Sequence, residues 1–103
     1  MSKYIQDQTR VWKKYLLTAL NRTNQYLSYL DERLGTSLQS TDIRNCELLT
    51  DALLFREEVK LTRDGRNRYK IFYLTDLGKE MAQRIKEEGY SDEMPETAQI
   101  ITP

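Results

Sequence analysis

Apolar positions along this chain follow two different spacings, and the point where one gives way to the other divides it. Over residues 8–20, Val11, Trp12, Tyr15, Leu16, Ala19 and Leu20 recur in steps of three and four, with Lys13 and Lys14 on the opposite side. That is one face of an amphipathic helix ending near Asn21. A second helix is expected next, capped by Thr23 or Asn24, burying Tyr26, Leu27, Leu30 and Leu34, and closed by Gly35. Residues 36–40 read as a turn with one buried leucine, Leu38. A third helix, over about residues 41–54 and capped by Ser40 or Thr41, is expected to bury Ile43, Cys46, Leu49 and Leu53, with Leu48 and Ala52 widening that face.

The period then changes from helical to two. Val59 and Leu61 alternate with Glu58, Lys60 and Thr62, and a β-rich run from Tyr69 to Leu74 follows an Asp64-Gly65 pair. Asp-Gly between two such runs is a hairpin signal, which places a hairpin over about residues 58–74. In its second strand Phe72 and Leu74 share one face, and Tyr69, Ile71 and Tyr73 share the other. Both faces are therefore apolar. Two explanations stand: a terminal segment or partner chain covers the second face, or long tyrosines are tolerated at a surface. Thr75 caps a last helix, residues 76–88, with Leu77, Met81, Ile85 and Ala82 inward and Gly89 as its stop. Residues 90–103 lack periodicity and read as a flexible acidic tail, so residues 1–89 form the expected single domain.

Composition removes chemistry more than it adds any. Histidine is absent and Cys46 is the one cysteine, so no Ser-His-Asp or Cys-His arrangement and no disulfide within the chain can be built. One thiol does not make a structural zinc site, and Cys46 on an apolar helix face is most simply a small core residue. The glycines stand singly at Gly35, Gly65, Gly78 and Gly89, in no phosphate-cradling motif. No paired carboxylates converge. The expectation is a protein that is not an enzyme, with no cofactor and no metal. No stretch approaches the roughly 20 apolar residues of a membrane span, and nothing resembles a signal peptide, which makes the cytoplasm the expected compartment.

Net charge is zero, but it is unevenly placed. Residues 1–86 carry 16 basic and 11 acidic side chains, a balance of +5; residues 87–103 carry five acids and no base, a balance of −5. Residues 60–70 alone hold Lys60, Arg63, Arg66, Arg68 and Lys70 against Asp64. A charged hairpin edge is a common solubility device, but such edges usually mix signs.

The order of expected elements, helix, helix, turn, helix, hairpin, helix, resembles the winged helix-turn-helix domains of bacterial and archaeal transcriptional regulators. Three stretches carry the likeness. Leu34-Gly35-Thr36-Ser37 falls where the turn of the helix-turn-helix lies, Asp64-Gly65-Arg66 resembles a wing tip, and Phe72-Tyr73-Leu74-Thr75-Asp76-Leu77-Gly78 looks like the family's aromatic-x-Leu-Thr-x-x-Gly junction between wing and last helix. The likeness implies an α+β, mainly α fold: a three-helix bundle, a β-hairpin wing and a C-terminal helix. Family members often end the third helix on a glycine, where this chain has Leu53-Leu54-Phe55-Arg56.

What the resemblance implies about function is sequence-specific binding of double-stranded DNA by a transcriptional regulator, the third helix in the major groove and the wing on the backbone or minor groove. The residue types present suit that. Arg44 and Asn45 are side chains that read guanine and adenine, Ser40 and Thr41 sit where a helix start meets phosphate, and Arg63, Arg66, Asn67, Arg68 and Lys70 suit phosphate contact. Asp42 complements the helix dipole, whereas Glu47 and Asp51 would neighbour phosphates and argue the other way. Family habit also implies a homodimer through the first and last helices, at Trp12, Tyr15 and Met81. No small-molecule effector can be named. The competing reading is a winged-helix protein-interaction module without DNA binding.

Overall fold

The computed structural model describes the backbone of residues 3–30 and 37–93 and the side chains of residues 11–29 and 40–93. Three helices, α1 (Lys3–Asn21), α2 (Ser37–Asp51) and α3 (Asp76–Glu87), accompany three strands, β1 (Tyr26–Leu30), β2 (Phe55–Leu61) and β3 (Arg68–Leu74). The strands form one antiparallel sheet in the order β1-β3-β2. This is a small α+β fold whose layout is compatible with a winged helix.

The expected second helix is replaced over residues 26–30 by β1. Tyr26-Leu27-Ser28-Tyr29-Leu30 fits either period over so short a run, and aromatic residues favour a strand. What decides is the open edge of β3: Leu27 lies opposite Phe72 and Tyr29 opposite Lys70. Gln25 starts the strand from a left-handed conformation (φ 55°), and its carbonyl accepts the Leu74 N–H. Leu34, Gly35 and Thr36, the expected turn, lie outside the described residues. The three-helix bundle is thus not formed as expected; one of its helices is a strand.

Leu27, Tyr29, Phe55, Phe72 and Leu74 make one apolar sheet face, against which α1 packs Tyr15, Leu16, Ala19 and Leu20 and α2 packs Ile43, Cys46 and Leu49. Phe72 lies between two rings, 6.4 Å from that of Tyr29 and 6.2 Å from that of Phe55. Cys46 is a buried core residue, as expected.

Helix α2 begins at Ser37, earlier than expected, so Ser40 and Thr41 are within the helix instead of capping it. No glycine or proline interrupts residues 37–40, and nothing stops the helix from extending back over the expected turn. It also ends sooner. Leu53 adopts φ 66°, Leu53 N–H bonds the Thr50 carbonyl and Leu54 N–H the Leu49 carbonyl, a Schellman closure. Leucine here occupies the left-handed position that glycine usually fills. Ala52 and Leu53 consequently fall outside the core, Leu53 being 69% exposed, and Leu48 lies on the outward side of the helix.

Thr75 caps α3 as expected, accepting from Gly78 N–H at 3.0 Å. The buried face differs: it is Gly78, Ala82 and Ile85, while Leu77 and Met81 are exposed. The reason is a close approach of two backbones. A Cβ on Gly78 would sit 2.0 Å from the Leu54 carbonyl oxygen and 3.0 Å from its carbon. Thr75 tightens the same seam, its hydroxyl donating to the Leu53 carbonyl at 2.6 Å and its N–H to that of Leu54 at 3.2 Å. The helix turns its glycine to the sheet because only glycine lets it come that close.

Two opposite stability changes are expected from this region. Gly78→Ala forces α3 off the Leu54 carbonyl and should cost about 3 kcal/mol in a urea titration. Leu53→Gly relieves a left-handed leucine that buries little and should raise stability by about 1 kcal/mol, seen as a higher midpoint at unchanged slope.

Candidate nucleic-acid interface

The tip of the β2–β3 hairpin is a loop over residues 62–67 that satisfies its own polar groups. Thr62 N–H bonds the Asn67 carbonyl at 2.9 Å and Gly65 N–H the Thr62 carbonyl at 2.8 Å. Gly65 supplies the positive φ, 72°, that the turn demands. The Asp64 carboxylate accepts from the Thr62 hydroxyl at 2.6 Å and from Arg66 N–H at 3.0 Å. The Thr62 hydroxyl in turn accepts from Asn67 N–H at 3.2 Å. The hydrogen bond from Thr62, followed by that from the Arg66 backbone, holds the Asp64 carboxyl below its ordinary pKa.

The one acid of the tip is therefore occupied within the turn, whereas the Arg63 and Arg66 side chains are not. Arg63 and Arg66 are exposed and make no ion pair among the described residues. Arg68, at the first position of β3, is also exposed, and Asn67 is half-buried. An open depression of about 390 Å³, lined by Thr62, Arg63, Asp64 and Asn67, lies on the tip.

Lys70 does not belong to this exposed group. Its ammonium lies 3.4 Å from Glu47 of α2 and 3.3 Å from Glu57 of β2, with 19% of its side chain accessible. Burial lowers its pKa, but the two carboxylates outweigh that and raise it. Lys70 thus ties the helix to the hairpin, and Glu47 is neutralised by a neighbour instead of facing outward unpaired.

On α2, Thr41, Arg44, Leu48 and Asp51 are exposed, and their spacing puts them on one outward strip. Ser40 is half-buried. Asn45 is turned inward, its amide donating to the Tyr15 hydroxyl at 3.2 Å. Tyr15 itself donates to the Asp42 carboxylate, and Asp42 is only 5% exposed. Asp42 is in the second turn of α2, so its role is that of a buried acceptor and not of a charge at the helix start. Tyr15, being buried, offers nothing to a dimer surface; of the three residues expected there Met81 is exposed and Trp12 packs partly against the core.

The Tyr15–Asp42–Asn45 group and the Glu47–Lys70–Glu57 bridge were not foreseeable from spacing. Their members are 27 and 30, and 23 and 13, positions apart, and the charges involved look like ordinary surface charges until the strands pair. Among the described residues no cluster of three acidic or cysteine side chains is arranged to hold a metal ion, and no helix is long and apolar enough to cross a membrane. Comparison of the chain with protein-family models, with curated proteins and with solved structures finds no match in any of the three.

The buried Asp42 has a pH consequence. Desolvation raises its pKa, and the opposing Tyr15 hydrogen bond and Lys14 charge do not cancel that. A carboxyl whose folded pKa lies above its unfolded one stabilises the fold fully below the unfolded value, and that contribution is lost as pH rises through the folded value. Asp42→Asn keeps an acceptor for Tyr15 without the charge. Its stability relative to the parent should therefore increase with pH above about 4, measured by urea unfolding at a series of acidic to neutral pH values.

Proposed function

We propose that this protein is a DNA-binding regulator of the winged helix-turn-helix kind, in which the hairpin is the wing and α2 the reading helix. The observation that carries this is the tip loop. Its acid is consumed in the turn's own hydrogen bonds, leaving Arg63 and Arg66 exposed at the end of a two-stranded arm, with Arg68 behind them. Guanidinium groups presented this way suit phosphate contact and a narrow minor groove. Arg44 and Thr41, on the outward strip of α2, are the residues available for base edges and nearby phosphate. Asn45 and Lys70 are assigned to structure in this reading, as their partners are internal. Two copies on two half-sites would supply the contact area one such domain lacks.

A second reading has an observation of its own. The outward strip of α2 carries one base and one acid around Leu48, and Val59 and Leu61 are 53% and 61% exposed on the hairpin. That surface would also serve a protein partner, with no DNA bound.

Salt separates the two. In fluorescence-anisotropy titrations of mixed-sequence duplexes, log affinity should fall linearly with log salt, and Arg63→Ala and Arg66→Ala should each flatten the slope by about 1. Arg44→Ala should instead reduce the preference among duplex sequences. A folded protein that binds no duplex at low salt rejects the DNA reading and leaves the protein-partner one.

A further inference from the structure

The sheet has an open edge at β2. Its strand order is β1-β3-β2, so among the described residues β2 pairs on one side only. Phe55 at its start is buried, and every residue after it is exposed except the half-buried Glu58. The register against β3 runs unbroken from Phe55 to Leu61, and the strand holds no proline. Bulges and prolines, two devices that blunt an edge, are thus missing from β2; the third, charge, is present. The ends of the ladder show which way the backbone points. Thr62 N–H bonds the Asn67 carbonyl and Thr75 N–H the Leu54 carbonyl, so the even-numbered residues of β2 turn their N–H and C=O groups to β3. Glu57, Val59 and Leu61 turn theirs outward.

We propose that this edge pairs with the same edge of a second copy of the chain, antiparallel, about a twofold axis at Val59. The order of charges selects that register. Matching of the outward backbone groups requires odd-numbered residues to oppose odd-numbered ones. A twofold at Arg56, Glu57, Glu58 or Lys60 sets a charge against its own copy, and one at Leu61 sets Glu58 against Asp64. At Val59 the central pair is neutral, and on either side of it Glu58 of one copy meets Lys60 of the other. Glu58 already holds two cations of its own strand on the sheet face opposite Phe55, Arg56 at 2.5 Å and Lys60 at 3.8 Å. The pairs between copies continue that row with alternating sign. On the other face Val59 meets Val59, and Leu61 of each copy lies against the Glu57 stem of the other, which takes exposed apolar side chains out of water. The Val59–Val59 and Glu57–Leu61 pairs exchange main-chain hydrogen bonds and satisfy the outward groups. One sheet then runs through both copies, with the hairpin tips pointing in opposite directions. The pairing uses neither Arg44 nor Arg66, and it stands whether or not the protein meets DNA.

Sedimentation equilibrium on the full chain tests this through paired charge changes. Lys60→Glu sets acid against acid across the axis, and Glu58→Lys sets base against base. Each alone should weaken self-association by about tenfold or more. An equimolar mixture of the two variants should restore it, because in the mixed pair every acid again faces a base. Val59→Pro removes an outward N–H, leaves the β3 ladder intact and should abolish the pairing. A parent chain that stays monomeric up to about 1 mM overturns the inference. So does self-association that Lys60→Glu leaves unchanged, or that the mixture fails to restore. Should a variant not fold, the unsubstituted chain decides by NMR. In a mixture of labelled and unlabelled copies, an NOE between the Glu58 Hα of one and the Lys60 Hα of the other is expected, and its absence rejects this interface.

Discussion

Much of this structure depends on how closely one helix can approach one strand. The backbone of α3 meets the Leu54 carbonyl at Gly78, and Thr75 fastens the contact with its hydroxyl on Leu53 and its N–H on Leu54. Leu54 is also where α2 closes and β2 begins. The seam therefore fixes three elements at once: the end of α2, the start of the hairpin and the rotation of α3. With α3 turned so that Gly78, Ala82 and Ile85 face inward, Leu77 and Met81 are left outside. Small residues along the inner face give α3 short distances to its neighbours, and dispersion acts best at short distances.

The second organising feature is β3, a central strand buried on both faces along most of its length. Phe72 and Leu74 belong to the helix-side core, while Tyr69 and Ile71 are enclosed on the far side. Tyr73, between the ring of Tyr26 at 5.5 Å and the guanidinium of Arg56 at 4.6 Å, closes that far side at one end. The hairpin thus has a buried root and an exposed tip. Its β2 strand turns outward at Val59 and Leu61, where helix cover ends and the arm leaves the body of the protein.

What the sequence disclosed was what local chemistry determines. The Thr75 cap, the Gly89 stop, the Asp64-Gly65 turn and the helical stripe around Tyr15 are each set within a few residues, and each is found. The opposite case is β1. Its five residues suit helix or strand, and the choice is made by the free edge of β3, some 40 positions later in the chain. The rotation of α3 escaped the pattern for a similar reason, since apolarity favours Leu77 and Met81 but steric approach favours Gly78. Among the candidate site residues, exposure of Arg63, Arg66 and Arg44 was legible from the turn and the helix. The inward commitments of Asn45 and Lys70 were not, because Tyr15, Glu47 and Glu57 come from other elements. Leu53 shows the limit in another form: a left-handed leucine is invisible where glycine is the expected signal.

The self-contained hydrogen bonding of residues 62–67 has a consequence for any encounter with a partner. A loop whose carboxylate, hydroxyl and four of six N–H groups are already matched has lost much of its conformational freedom during folding, not at the moment of contact. The arginine stems are exposed, but the platform they leave from is held by its own hydrogen bonds. Association then orders a few side chains instead of a whole loop. In any such encounter the arm would act as a stiff probe, with the spacing of the backbone positions that carry its arginines set in advance by the turn.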